Sequence, residues 1–266
     1  MVNIFASLSS LGITEVPDAG EITADERVKK ARPDSESAKA KELPIMDYVY
    51  LKSHKCPVCS HDFHDVTMRT GKCRFIESDT DLRAHYKPYD PMLYNIIMCQ
   101  FCGYAAMTAH FNQMRDSQRE AVIKTLAPQF KYKEYPLELD ATHAKERYLM
   151  ALLCATLKKT RSSERAMLCL RLSWFADMEE DEEAAKTFRI YARKGFELAY
   201  SNENFPVYGM DSLTLCYLLG ELCRRTGERD SALRYISQVI MTKTAGKRLK
   251  EKAAHVRELI KNKEPI

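Results

Sequence analysis

The sequence predicts an α+β chain that is mostly α: a small four-cysteine, zinc-ribbon-like β domain followed by a helical-hairpin, tetratricopeptide-like array. Three observations predict it. Two CxxC pairs, "CPVC" at 56–59 and "CQFC" at 99–102, bracket a polar stretch with strand-like alternation. From Ala105 onward the apolar residues recur at helical spacing. Within that helical part, "CYLLGELCRRTGERDSALRYISQVI" follows the tetratricopeptide pattern.

Composition narrows the setting. A chain of 266 residues has room for two ordinary domains, and its 45% hydrophobic content can supply their cores. Nine cysteines raise the question of disulfides. The N-terminal "MVNIFASLSSLGITEV" has no basic start, and Ser and Gly interrupt its apolar run, so it does not read as a signal peptide. No stretch approaches the length of apolar chain that spans a bilayer. The expected setting is a reducing cytoplasm, where paired CxxC motifs mean metal or redox chemistry. Net charge is −3 over residues 1–47, +2 over 48–115 and +5 over the rest. That is a weaker basic excess than strong nucleic-acid binders carry.

Residues 1–45 are expected to be an N-terminal segment and flexible linker. Ile4, Phe5, Leu8, Leu11 and Ile13 form a short apolar patch on roughly helical spacing. Such a patch is ordered only if it docks on the main body, because an isolated short helix is unstable in water. The polar run 17–43 has too little apolar surface to offset the entropy of ordering it, and should be open to proteases. Residues 46–112 are expected to be the ribbon domain. In it "VTMRTGKCRFI" alternates about a glycine, and "MLYNIIMC" runs as a strand into the second pair. Residues 113–266 are expected to be the helical domain, with helices near 115–126, 142–158, 162–177, 181–201, 208–226, 229–241 and 245–262. Pro128, Pro136 and Pro206 fall between them, where a missing N–H does no harm. In the repeat-like segment, Gly220 and Ala232 are the small residues expected where two helices cross closely, with Gly227 at the turn.

The two CxxC pairs make Cys56, Cys59, Cys99 and Cys102 the expected metal ligands. Zinc takes four ligands in a tetrahedron, and thiolates suit it. Gly103, just after the second pair, can take the left-handed conformation that a knuckle requires. Four protein ligands leave no open coordination position, so the metal is expected to be structural, with binding energy that is largely folding energy, on the order of 10–16 kcal/mol in small zinc modules. Thirty-nine residues separate Cys59 from Cys99, more than a simple ribbon uses, so an inserted hairpin or loop must fill the gap. Iron uses the same four thiolates, whereas a thioredoxin-type redox pair would need a βαβ context that is missing here. Cys73 is expected to be a spectator, and His54, His61, His64 and His110 to lie outside the ligand set. Cys154, Cys169, Cys216 and Cys223 sit on apolar helix faces and are expected in the core.

"CPVCSHDF", "TGKCRFIESDTDLRAHYKPYDPMLYNIIMCQFCGYAAMTAHF" and "LCLRLSWFADMEED" resemble the bacterial domain-of-unknown-function 2225 family in order and spacing. The resemblance covers roughly residues 46–240 and extends to the "NIFASLSSLGI" head. It implies a cytoplasmic bacterial protein with a zinc-ribbon-like segment and a tetratricopeptide-like tail, and supplies no activity.

Two further groups are candidate binding residues. Between the knuckles, Arg74, Asp79, Asp81, Arg83 and Tyr86 read either as a recognition surface or as a salt-bridged, solvated loop. In the last helix, Lys247, Arg248, Lys250 and Lys252 read as a polar cap or as a surface for an acidic partner. No Ser-His-Asp order, HExxH, P-loop or GxGxxG is present, so no catalytic residues are expected. The expected role is a zinc-binding adaptor that binds a protein partner through its helical array. The alternative is a nucleic-acid-binding regulator using the ribbon, and an enzyme built on the Asp79/Asp81 region stands third.

Overall fold

The computed structural model describes residues 6–13, 45–126 and 128–262. Their contacts gather into two compact units, one comprising Met1–Ile76 and Tyr86–Lys159, the other Glu77–His85 and Thr160–Ile266. The chain turns helical only from Asp116, since Ala105–Met107, read from its spacing as the start of the helical part, is a strand, and the contacts divide the chain after Lys159. The division falls there because α2 (Ala141–Leu157) packs on strands of the first unit and α1 (Asp116–Leu126) packs on α2.

In the first unit, β1 (Val49–Lys55) pairs antiparallel with β2 (Asp62–Met68), from Val49↔Met68 to Lys55↔Asp62. β3 (Arg74–Ser78) pairs with β4 (Ala84–Lys87). β5 (Ile96–Met98) pairs antiparallel with β6 (Ala105–Met107), and every residue of both is buried. Burial on all sides follows from α2, which packs on both strands and is itself buried almost all round from Ala144 to Ala155. Asp140 starts α2 by accepting from the His143 N–H at 2.7 Å, satisfying a donor that the helix leaves unpaired. The run "MLYNIIMC" is strand only over its last part. Pro91–Tyr94 forms a 3-10 turn instead, with Asp90 accepting from the Met92 N–H and Pro91 in the first turn, where its missing N–H costs nothing.

The N-terminal patch docks. A 3-10 turn spans Ala6–Leu11, and Leu8, Leu11 and Ile13 are buried at 0%, 1% and 4% exposure. The turn packs on α2, and the Leu11 carbonyl accepts from the Lys131 N–H. Ile4, Phe5 and the polar run 17–43 lie outside the described residues.

In the second unit, α3 (Ser162–Met178), α4 (Glu182–Asn202), α5 (Ser212–Arg225), α6 (Arg229–Met241) and α7 (Lys247–Asn262) each pack on the next in order. Asp181 and Asp211 cap α4 and α5 through the Ala184 and Thr214 N–H groups. The helix expected from 208 begins at Ser212 because Val207 and Met210 close a tight bridge ahead of that cap. Gly220 earns its place by proximity: a Cβ there would lie 2.7 Å from the Ile236 side chain. Gly227, at φ +87°, makes the turn between α5 and α6. Tyr217, Ile236, Val239, Ala253 and Val256 form one buried cluster across α5, α6 and α7.

Candidate metal centre

The two knuckles are built alike. In the first, the Cys56 N–H donates to the His61 carbonyl and the Ser60 N–H to the Cys56 carbonyl, at 2.9 and 3.0 Å. In the second, the Cys99 N–H donates to the Tyr104 carbonyl and the Gly103 N–H to the Cys99 carbonyl, both at 2.9 Å. Each loop therefore needs its residue just after the second cysteine in the left-handed region. Ser60 takes φ 65° and Gly103 φ 73°. Serine is tolerated in the first because it is exposed. The second admits only glycine, since a Cβ on Gly103 would sit 2.5 Å from the Phe130 ring. The sequence marks the second knuckle through its glycine and gives no such mark for Ser60.

The hairpins β1–β2 and β5–β6 carry these loops at their turns, so strand pairing presents both to one point. The Sγ atoms of Cys56, Cys59, Cys99 and Cys102 all lie within 4.8 Å of one another. Cys56 Sγ is 3.6 Å from Cys102 Sγ, and Cys59 Sγ is 3.7 Å from Cys99 Sγ. A tetrahedron with metal–sulfur bonds of about 2.3 Å has edges of about 3.8 Å, so the four sulfurs fit one ion. Cys56, Cys99 and Cys102 are buried and Cys59 partly so. The Val58 N–H points at Cys56 Sγ from 3.4 Å, the arrangement that stabilises a thiolate. The thiols of Cys56, Cys99 and Cys102 constrain each other's charge. Hydrogen bonds from Cys102 and then Cys56 pull Cys99 down to about 2, whereas donation to Cys56 and Cys99 and burial push Cys102 up. Cys56 is pushed up to about 12, a hydrogen bond from Cys102 being outweighed by its bond to Cys99 and by burial. Four thiolates packed this closely repel one another and would require a cation among them.

The neighbouring candidates fall outside the ligand set. Cys73 lies against Met68, its Sγ 3.8 Å from the thioether sulfur. His61 stacks on Phe101 at 4.7 Å, His64 pairs with Ser53, and His110 with Gln113. His54 packs against Phe63 and Phe111. Cys154, Cys169, Cys216 and Cys223 are buried core thiols. Burial pushes Cys154 and Cys169 up to about 12.

The inter-knuckle candidates scatter. Arg74 is exposed on β3, and Tyr86 packs edge-on against Phe75. Asp79 pairs with His85 at 2.8 Å. Asp81 is 1% exposed, and its Oδ2 accepts from Trp174 Nε1 at 2.9 Å with Arg225 3.6 Å away. Arg83 directs Nη1 to the Trp174 carbonyl. A polar loop need not be solvated when buried partners await its charges, and the local sequence shows nothing of those partners. In the last helix, Lys247 and Arg248 are exposed and Lys250 is partly so, whereas Lys252 donates to Ser78 Oγ at 2.7 Å.

Two features escaped the sequence reading. His61, Phe101 and Tyr132 form a row of neighbouring rings, Phe101 and Tyr132 at 5.4 Å, with Phe101 and Tyr132 39% and 54% exposed. Arg147, 0% exposed in the middle of α2, donates to Asp65 Oδ2 and to the Ile96 carbonyl. In the sequence it is the last of three consecutive charged residues, Lys145, Glu146 and Arg147, so nothing local marked it as buried.

The family described as "Uncharacterized protein conserved in bacteria (DUF2225)" matches residues 49–260. An "Uncharacterized protein" of Borreliella burgdorferi is 27% identical over 158 residues, covering 52% of this chain and 56% of that protein. The chain thus spans little more than half the length of that relative. No solved structure matches.

Proposed function

Because the chain belongs to the DUF2225 family of uncharacterized proteins conserved in bacteria, we propose its function from its own residues: a zinc-stapled adaptor that holds a protein partner through its helical array. The observation that carries this reading is the closed ligand set, four sulfurs within 4.8 Å of one another on two knuckles. Four thiolates satisfy zinc completely, leaving no site for a bound water or substrate, so the ion would staple the ribbon rather than catalyse. Helical hairpins stacked in order build extended surfaces, and the use of such surfaces is binding. Lys247, Arg248 and Lys250 at one end of the array would attract an acidic partner, an effect that weakens as salt rises. We assign the protein no catalytic role and a cytoplasmic setting. No helix among the described residues is long and apolar enough to cross a membrane.

The test is a pull-down from the native host using the full chain purified with its metal, together with elemental analysis. About one zinc per chain and a specific protein partner support the reading. Iron in place of zinc overturns the metal assignment, and a preparation that captures no protein overturns the adaptor.

The exposed ring row of His61, Phe101 and Tyr132 favours a second reading, because bases stack on aromatic platforms. Salt-dependent binding of generic single-stranded DNA or RNA, lost on Phe101→Ala, would select it over the adaptor.

A further inference from the structure

Residues 78–83 of the inter-knuckle segment lie in the second unit and are held there as a bound turn. The Leu82 N–H donates to the Asp79 carbonyl and the Asp79 N–H to the Arg83 carbonyl, closing the turn. Its contacts run along helices that alternate in order. Asp81 is held by Trp174 of α3 and Arg225 of α5. Thr80 donates its hydroxyl to Glu221 of α5 at 2.6 Å, and its carbonyl accepts from Tyr217 at 2.6 Å. Ser78 accepts from Lys252 of α7. Glu221 itself is 0% exposed and is tied to Arg224 and Arg225. Side chains of α3, α5 and α7 thus converge on this one turn, with donors set for a carboxylate and an acceptor set for a hydroxyl.

Leu82 completes the pattern. It packs on the buried cluster of α5, α6 and α7, and it does so at φ 70°, where a branched bulky side chain is strained. Glycine would suit that backbone better. The leucine is there for its contact.

We propose that the α3–α5–α7 face is a recognition site for an acidic turn, a hydroxyl residue followed by aspartate and leucine, and that the chain's own Thr80–Leu82 is its resident ligand. The proposal rests on the adaptor reading and names the partner's chemistry: a loop of another protein that presents the same three groups and displaces the resident turn. A tethered turn competes at an effective concentration of about millimolar, so with an affinity of its own of about 10 μM it lowers the affinity of a competing partner loop roughly 100-fold. The array is therefore reserved for partners delivered at high local concentration.

The probe is a fluorescent peptide of residues 74–87, closed by a terminal disulfide and followed by anisotropy against the full chain. The Thr80→Gly/Asp81→Gly/Leu82→Gly variant should bind it at least roughly 100-fold more tightly than the wild type does. A peptide carrying Asp81→Ala should lose at least about tenfold, the cost of one charge-assisted pair. Should the triple variant lose its helical circular dichroism, Asp81→Asn decides alone and should bind the probe more tightly than wild type. A folded variant that ignores the probe overturns the proposal. The adaptor reading fails separately: a captured partner that the probe does not compete leaves the adaptor standing without this site, and probe binding with no captured partner does the reverse.

Discussion

Replacing Arg147 by methionine tests whether the buried pair beneath the knuckles holds the first unit together. Asp65 is 8% exposed and accepts from the Arg147 guanidinium, from the Met98 N–H at 2.9 Å and from the Val66 N–H at 2.8 Å. Arg147→Met leaves a buried carboxylate with its two amide donors and no counter-ion. Breaking a buried pair on one side costs about 3–5 kcal/mol, a large share of the 5–15 kcal/mol that a domain has in all. At about 2–4 °C per kcal/mol for a domain of this size, the midpoint should fall by roughly 6–20 °C. Adding Asp65→Asn removes the stranded charge while keeping an acceptor for one amide, so the double variant should regain most of the loss. The uncompensated carboxylate should also take up a proton more readily, so the single variant's deficit should shrink as pH falls. Thermal and denaturant unfolding of wild type, both single variants and the double variant measure the cycle. A double variant as unstable as the sum of the singles would refute the reasoning, because it would mean that the two side chains act independently.

Cys99→Ser should reduce bound metal from about one ion per chain to near none, whereas Cys73→Ser should leave it unchanged; elemental analysis of both decides. Gly103→Ala should cost about 1–3 kcal/mol through its φ of 73° and the Phe130 contact, while Ser60→Gly should be nearly neutral, as compared by denaturant midpoints. Glu221 supplies a pH dependence. Burial works to raise its carboxyl and is outweighed by donation from Arg224, Thr80 and Arg225, so it lies below its ordinary 4.5. The unfolded chain therefore binds that proton more tightly, and the stabilisation is complete above about pH 4.5 and lost as pH falls through the lower folded value. Glu221→Gln should flatten that acid limb in unfolding midpoints taken from pH 3 to 6.

What could be read from the sequence was local. The helices were legible because prolines and apolar spacing act within a few residues, as at Pro206, whereas the Asp211 cap that starts α5 at Ser212 went unread. The four metal-ligand candidates were legible because a CxxC turn carries its own geometry. What could not be read depends on partners far along the chain. Asp65 and Arg147 are 82 residues apart, and Asp81 and Trp174 are 93 apart. Asp81 looked solvated because its neighbours are polar, yet its environment is set by α3 and α5. The division after Lys159 was hidden for the same reason: helical periodicity announces a helix without saying which surface it packs on.

The spacing of the knuckles has one more consequence. An ion held by both closes the chain into a ring, pinning Cys59 to Cys99 with 39 residues looped out between them. In the chain-entropy picture, a cross-link over a loop of that length removes about 4 kcal/mol of freedom from the unfolded chain. The cost of closure rises only logarithmically, about 0.6 kcal/mol for each doubling of the loop. In closure entropy the ring can therefore be lengthened or shortened at little expense, provided the knuckles and the strands and buried side chains within it are left alone. Added length between the knuckles could thus make new contacts while a bound ion would keep the segment's ends in register.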